Sequence, residues 1–170
     1  VAEPRTRPGS GRRRTIVLID GPSGAGKTTY ANRLGEMTGW RVVHLDDFYP
    51  GWGGLAEGAR MVVEDVLDPV DPGFTRWDWN NSRPAERVTL DPEASLIVEG
   101  VGAITKQSVA AAAKLGEVHT IHITAASDAR FRRAIARDPG YRAWWQMWAR
   151  QEEAHFSGDG DVAAEETITW

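Results

Sequence analysis

The sequence predicts an α/β domain whose parallel strands carry functional residues at their carboxyl ends, and three observations predict it. Gly21-Pro22-Ser23-Gly24-Ala25-Gly26-Lys27-Thr28 fits the pattern of a glycine, four residues, then Gly-Lys-Ser/Thr, a cradle for a nucleoside triphosphate. An apolar, β-branched run, Thr15 to Asp20, precedes it and a helix-compatible stretch, Thr28 to Met37, follows, which is the strand, loop and helix order that such a cradle requires. Two further strand-like runs each end in an acid, the first at Asp46-Asp47 and the second at Glu99. Carboxylates at the tips of parallel strands face the crevice where ligands bind in open α/β sheets.

With 170 residues the chain is expected to form one domain, 15–170, behind a basic tail, 1–14, that holds five arginines and hardly any apolar side chains. Cysteine is absent and formal net charge is −4, so disulfides, thiolate chemistry and a basic footprint for nucleic acid are not expected. Arg12-Arg13-Arg14 precedes only a short apolar run, too short for a secretory segment, and no stretch is long enough to span a membrane. The expectation is a soluble, cytoplasmic protein without membrane or nucleic-acid partners, and assembly with copies of itself is compatible with the sequence. Eight tryptophans fit either a solid core or an aromatic-lined pocket.

Within the cradle, glycines let consecutive backbone amides point inward, and the following helix adds its partial positive charge. Gly21, Ser23, Gly24, Ala25, Gly26, Lys27, Thr28 and Thr29 are the candidate nucleotide contacts, with Lys27 directed at the β- and γ-phosphates and the Thr28 hydroxyl at magnesium. Gly39 stops the first helix, and Trp40 to Leu45 reads as a second strand ending at Asp46-Asp47-Phe48-Tyr49. A Gly-rich loop follows, then a helix from Ala56 to Leu67 with Leu55, Ala59, Val62, Val63 and Val66 on one face. Residues 68–92 show no sustained period and are expected to be a functional loop. Its centre sets Asp78 between Trp77 and Trp79, which suits either stacking a flat ring or packing the loop on the body.

Ala94 to Val98 is a third strand, apolar but for Ser95, and Glu99 at its tip is a magnesium-directed acid. A helix from Thr105 to Leu115 and a strand from Val118 to Thr124 come next. His119 and His122, three apart on that strand, point to opposite faces and cannot chelate one metal together. Ser127 to Asp138 is a basic helix that Pro139-Gly140 breaks, and a further helix from Tyr141 to about Ala154 carries Tyr141, Trp144, Trp145 and Trp148, read mainly as core. Arg137 and Arg142 flank the break and could close over a triphosphate. Thr167 to Trp170 reads as a last strand.

The cradle, Asp46-Asp47-Phe48-Tyr49 and Glu99-Gly100 together resemble the uridine kinase branch of the phosphate-loop kinases, relatives of phosphoribulokinase and bacterial pantothenate kinase, from about Thr15 to Arg142. The resemblance implies a three-layer P-loop NTPase fold, a parallel five-stranded sheet of order 2-3-1-4-5 with helices on both faces, and a lid at about 137–145. It implies ATP and Mg2+ as cofactors, and transfer of the γ-phosphoryl group to a hydroxyl, that of a nucleoside in the first instance. It makes Asp46 the general base and a metal neighbour, with Lys27, Arg137 and Arg142 stabilising charge and Thr28 and Glu99 holding magnesium. Asp47 stands where the family has serine. Tyr49, Trp77, Asp78, Trp79 and Arg83 fall in the acceptor region, Asp78 at the place of a ribose-holding aspartate. Trp144 and Trp145 stand where the family carries a further lid arginine. Two alternatives stay open: a kinase for a sugar, a vitamin precursor or a nucleoside monophosphate, and a non-catalytic nucleotide switch. Against the switch, the chain has no Asp-x-x-Gly after the cradle and no Asn-Lys-x-Asp.

Overall fold

The computed structural model describes residues 14–170, so the expected tail lies outside the described residues except for Arg14. Arg14 is held: its carbonyl accepts from the Glu117 amide at 2.8 Å and its guanidinium donates to the Ala94 carbonyl. Five strands make one parallel sheet: β1 (Thr15–Asp20), β2 (Arg41–His44), β5 (Leu96–Glu99), β6 (Glu117–Thr124) and β7 (Glu166–Thr169), in the order β2-β5-β1-β6-β7. Counting sheet strands alone, this is the expected order 2-3-1-4-5. The register sets Ile19 beside Glu99 and His44 beside Glu99, so three strand tips end at one level.

Alternation along β1 divides the core. Ile16 and Leu18 pack with Val43, Leu96 and Val98 against Leu55, Val62, Ala112 and Trp148 on one face. Val17 and Ile19 pack with Ile97, Ile121 and Ile123 against Ala31 on the other. A strand buried on both faces needs apolar residues throughout, which is why β1 and β5 read as unbroken apolar runs. The helices are α1 (Lys27–Thr38), α2 (Leu55–Met61), α3 (Lys106–Ala113), α4 (Ser127–Arg137) and α5 (Trp145–Ser157). Gly39 ends α1 at φ 76°, and Thr105 with Ser108 forms a capping box at the start of α3. No helix among the described residues is long and apolar enough to cross a membrane.

Three expectations change. Residues 68–92 are not a structureless loop but contain an antiparallel hairpin, β3 (Gly73–Asp78) and β4 (Arg83–Thr89), whose register shifts between Thr75 and Trp77. That shift and Pro84 hide the alternation that would have marked two strands, and Pro84 is tolerated because a two-stranded ribbon has free edges. The helix expected over 56–67 stops at Met61 and continues as a π-turn, Val62–Val66. The helix expected from Tyr141 begins instead as a 3-10 turn, Pro139–Trp144, where the Asp138 side chain accepts from the Gly140 amide at 3.1 Å, and α5 runs on to Ser157.

Candidate active site

The loop between β1 and α1 is bent by Gly24 and Gly26, at φ 81° and 104°, values that favour glycine. A Cβ on Gly24 would lie 2.3 Å from the Arg130 carbonyl, so no larger residue fits there. The loop carbonyls are tied outward by α4: Arg130 donates to the Ser23 carbonyl at 3.3 Å and Arg133 to the Gly24 carbonyl at 3.1 Å. Turning carbonyls away from the loop leaves its amides for an anion. The first amides of α1 carry no side-chain cap, and an uncapped helix start beside such a loop is an anion site. Lys27 donates to the Pro22 carbonyl at 3.1 Å, which holds its ammonium at the loop.

Below the loop, Asp20 is the anchor that sequence reasoning missed. Its buried carboxylate accepts from the amides of Gly21 (2.6 Å), Gly102 (3.2 Å) and Ile104 (2.9 Å), and from His155 Nε2 at 2.9 Å. One side chain thus ties the start of the cradle, the loop after β5 and α5. Asp20→Ala would strand three buried amides and an imidazole. The expected cost is about 3–5 kcal/mol, read as a fall in the denaturant midpoint. An unchanged midpoint would show that water replaces the carboxylate.

A second carboxylate gathers a hydroxyl and an imidazole. Glu99 Oε2 accepts from the Thr28 hydroxyl at 2.9 Å and from His44 Nδ1 at 2.6 Å. The bond to Glu99 holds the His44 pKa above its usual value against the lowering effect of burial. A hydroxyl and a carboxylate side by side are the hard oxygen donors that magnesium prefers, and magnesium characteristically completes its shell with water and substrate phosphates. Among the described residues no group of three or more His, Cys, Asp or Glu could hold a metal ion alone. Thr28 and Glu99, with Asp46 nearby, fit an ion that shares its shell with a triphosphate.

Asp46 opens into the cleft but is walled by protein on its other sides. That desolvation, and then repulsion by Glu99, raises its carboxyl pKa; Lys27, Arg137 and His44 oppose the rise. Trp79 fixes this segment by donating its indole N–H to the Asp46 carbonyl at 2.9 Å. Tyr49 donates its hydroxyl to the Val101 carbonyl at 2.6 Å, so it serves as wall and brace.

One cavity of about 400 Å³ brings these groups together. Ser23, Gly24, Gly26, Lys27, Thr28 and Thr29 of the cradle line it, together with Asp46, Tyr49, Trp79, Glu99 and Arg137. Gly21 and Ala25 are buried in the frame of the loop and do not line the cavity. Asp47, Trp77, Asp78, Arg83 and Arg142 also lie outside its lining. The Asp78 carboxylate is used in the hairpin turn, accepting from the amides of Asn80 and Asn81 and from the Asn81 side chain. Trp77 keeps a buried indole N–H without a hydrogen-bond partner, Asp47 sits half-buried in a 3-10 turn, and Arg83 is exposed on the hairpin opposite Asp78. Arg142 stacks over the Phe131 ring, 5.3 Å from its centroid.

Trp52, Asp138, Tyr141 and Trp148 line the cavity as well; from the sequence Tyr141 and Trp148 read mainly as core, and Trp52 and Asp138 were not among the candidate site residues. α5 holds the assembly together: Gln151 donates to the Trp52 carbonyl at 2.6 Å, and Glu152 accepts from the Ser23 amide at 2.7 Å. Burial raises the Glu152 pKa, and the Ser23 amide opposes that rise. The signal for these residues was available. Trp145, Trp148, Glu152 and His155 follow one another at spacings of three and four, which places an acid and an imidazole on the inner face of an aromatic helix. Buried polar groups at such positions need partners, and here the partners are the cradle and Asp20.

Comparison with solved structures agrees with the fold. A possible uridine kinase from Bacillus stearothermophilus superposes with a TM-score of 0.55 at 16% identity, covering 94% of this chain and 90% of that one. A candidate kinase of a fructose transport system from Silicibacter superposes with a TM-score of 0.56 at 16% identity, covering 98% and 92%. The chain shares the fold of these two structures. Among curated proteins, tRNA ligase 1 of Schizosaccharomyces pombe is 31% identical over 91 residues, 54% of this chain. A bifunctional pantoate ligase/cytidylate kinase of Gloeobacter violaceus is 30% identical over 62% of this chain. The chain spans only 11% and 24% of the lengths of these two relatives. No family model matches the chain. Within this fold, the glycine-rich loop lies where β1 meets α1.

Proposed function

We propose that this chain is an ATP-dependent small-molecule kinase that moves the γ-phosphoryl group to a hydroxyl, with a nucleoside as the first acceptor to test. The observation that carries the proposal is the single cavity shared by Lys27, the Thr28–Glu99 pair, Asp46 and Arg137. A binding module needs the cradle alone; a carboxylate with a raised pKa beside it is what proton transfer needs.

In the reaction, the acceptor oxygen forms a bond to the γ-phosphorus as the bond from that phosphorus to the bridging oxygen breaks. ADP leaves with the electron pair, and the acceptor proton passes to Asp46. Lys27 and Arg137 stabilise the charge spread over the transferring oxygens, which is most of what such a transfer requires. Magnesium, held by Thr28 and Glu99, would supply further neutralisation of the phosphates. Glu152, Arg130 and Arg133 keep the cradle in shape throughout.

Asp78 favours a second reading. Its carboxylate is committed to the hairpin turn and outside the cavity lining, so the nucleoside reading loses the residue that would have held ribose. A different hydroxyl-bearing acceptor is the alternative, and the likeness to a bifunctional pantoate ligase/cytidylate kinase supports keeping nucleoside monophosphates among the candidates. ADP formation with ATP and magnesium across nucleosides, their monophosphates, sugars and vitamin precursors tests both readings. Consumption of one acceptor in step with ADP is expected; nucleotide binding without acceptor-dependent ADP formation across the panel would sink the kinase reading.

The pH dependence follows from Asp46. The base must be ionised, so kcat is full above its pKa and falls as pH drops through it. Because the cleft walls around this solvent-open carboxylate, and then Glu99, raise that pKa, the acid limb should lie above where an ordinary aspartate would place it. A limb at the usual aspartate value, or none, would remove Asp46 from the proton-transfer role.

A further inference from the structure

We infer that a cavity between α2 and α5, apart from the cradle, is a second small-molecule site: it takes an apolar molecule bearing a hydroxyl group, and its occupancy alters how the cradle holds nucleotide. The site stands apart from the kinase reading, and its regulatory effect uses only the nucleotide-binding part of that reading.

This second cavity holds about 430 Å³, within the range of small-ligand sites, and shares no lining residue with the first. Leu55 and Ala59 of α2, Val63 of the π-turn and Ala154 of α5 give it apolar walls. The π-turn itself is informative, because a π insertion breaks the regular ladder of a helix and recurs at functional sites. The charged members of the lining, Arg60, Glu64 and Asp159, are exposed, and Arg60 is already paired with Glu57 and Glu64.

Two polar members are more than nine-tenths buried, Thr105 with 4% of its surface exposed and His155 with 8%, and each keeps bonding capacity unused. Thr105 accepts from the Ser108 amide at 2.9 Å, and its hydroxyl has no acceptor among the described residues. His155 is bonded through Nε2 to Asp20 at 2.9 Å, and its Nδ1 has no partner among the described residues. Nδ1 is not sealed in the core, since among those residues Trp77 Nε1 is the only buried side-chain polar atom shut off from solvent without a partner. An unpartnered, accessible nitrogen on a residue that lines this cavity and not the first opens to this cavity. Gly160 packs the ring in place: a Cβ there would come within 2.4 Å of Cε1. Asp20 accepts three amides as well as Nε2, so the proton of that bond sits on Nε2. A hydroxyl both donates and accepts, so it satisfies Nδ1 whether that nitrogen carries a lone pair or a proton. Through Nε2 the same ring holds Asp20, which ties the first amide of the cradle and the loop after β5. Bonds in such a chain polarise one another, so a partner on Nδ1 changes the hold on Asp20.

The test uses the full chain with ¹⁵N-labelled histidine, titrated with phenol and with toluene, molecules of like shape of which only phenol has a hydroxyl. Phenol should move the His155 Nδ1 resonance saturably and bind about fivefold or more tightly than toluene, although toluene is the more apolar. Saturating phenol should shift ATP affinity by about threefold or more, and ATP should shift phenol affinity by the same factor. Ala154→Phe and Ala56→Phe fill the cavity from the α5 and α2 sides at exposed positions. Each should abolish the phenol response without lowering thermal stability or the affinity for ATP alone. No saturable shift at His155, toluene binding as tightly as phenol, or a response that survives both variants would overturn the site. Phenol binding with unchanged ATP affinity would overturn its regulatory effect. If ATP did not bind at all, the reading of the cradle would fall and the regulatory effect with it, while the His155 resonance would still decide the site.

Discussion

Asp46→Asn should lower kcat by about 10²–10⁴-fold, the range for loss of a positioned general base, while ATP affinity stays within about twofold. The substitution is close to isosteric, and the bond that fixes this segment survives it, because Trp79 donates to the Asp46 main-chain carbonyl. The aromatic wall should therefore remain in place, and the loss belongs to chemistry. Removing a carboxylate next to Glu99 relieves repulsion, which offsets what a nearby metal ion would lose, so ATP binding should change little. Steady-state kinetics with a calorimetric titration of ATP separates the two. A variant with near-normal kcat would show that the acceptor proton leaves by another route.

Lys27→Ala should damage binding and turnover together, with kcat reduced by about 10²–10³-fold, the usual loss for a charge-stabilising donor, and ATP affinity reduced as well. The loop around it should keep its shape, since Asp20, Glu152, Arg130 and Arg133 hold its backbone independently of the ammonium. Thermal melting should accordingly change little. A variant that keeps normal kcat would mean that the ammonium at Pro22 does not reach the transferring phosphoryl group, and Arg137 would have to carry that role alone.

What the sequence made legible was local chemistry. A triphosphate cradle demands glycines, a lysine and a hydroxyl at fixed spacing, so Gly21 to Thr28 announced itself, and β1 and β5, buried on both faces, read as apolar runs with an acid at or beside the tip. The sheet order followed from the resemblance those residues carry. Non-local partnerships stayed hidden. Asp20 looks like the end of a strand, and its role depends on amides more than 80 positions away and on His155. Trp77-Asp78-Trp79 looked like one recognition group, yet alternation in β3 and the turn after it separate its members: Trp79 reaches the cavity, while Asp78 folds back on Asn80 and Asn81. The aromatic stripe of α5 read as core because its period is that of a buried helix. Trp148 is indeed buried, and it is also a wall of the cavity.

The most direct measurement follows the label of [γ-³²P]ATP in a single turnover with magnesium and the acceptor found in the panel. The account predicts that the label moves to the acceptor one for one with ADP, and that Asp46→Asn slows this step without changing how much ATP is bound. Label appearing as inorganic phosphate at the same rate with or without acceptor would contradict it, since Asp46, Lys27 and Arg137 would then share a cavity that does not join donor to acceptor.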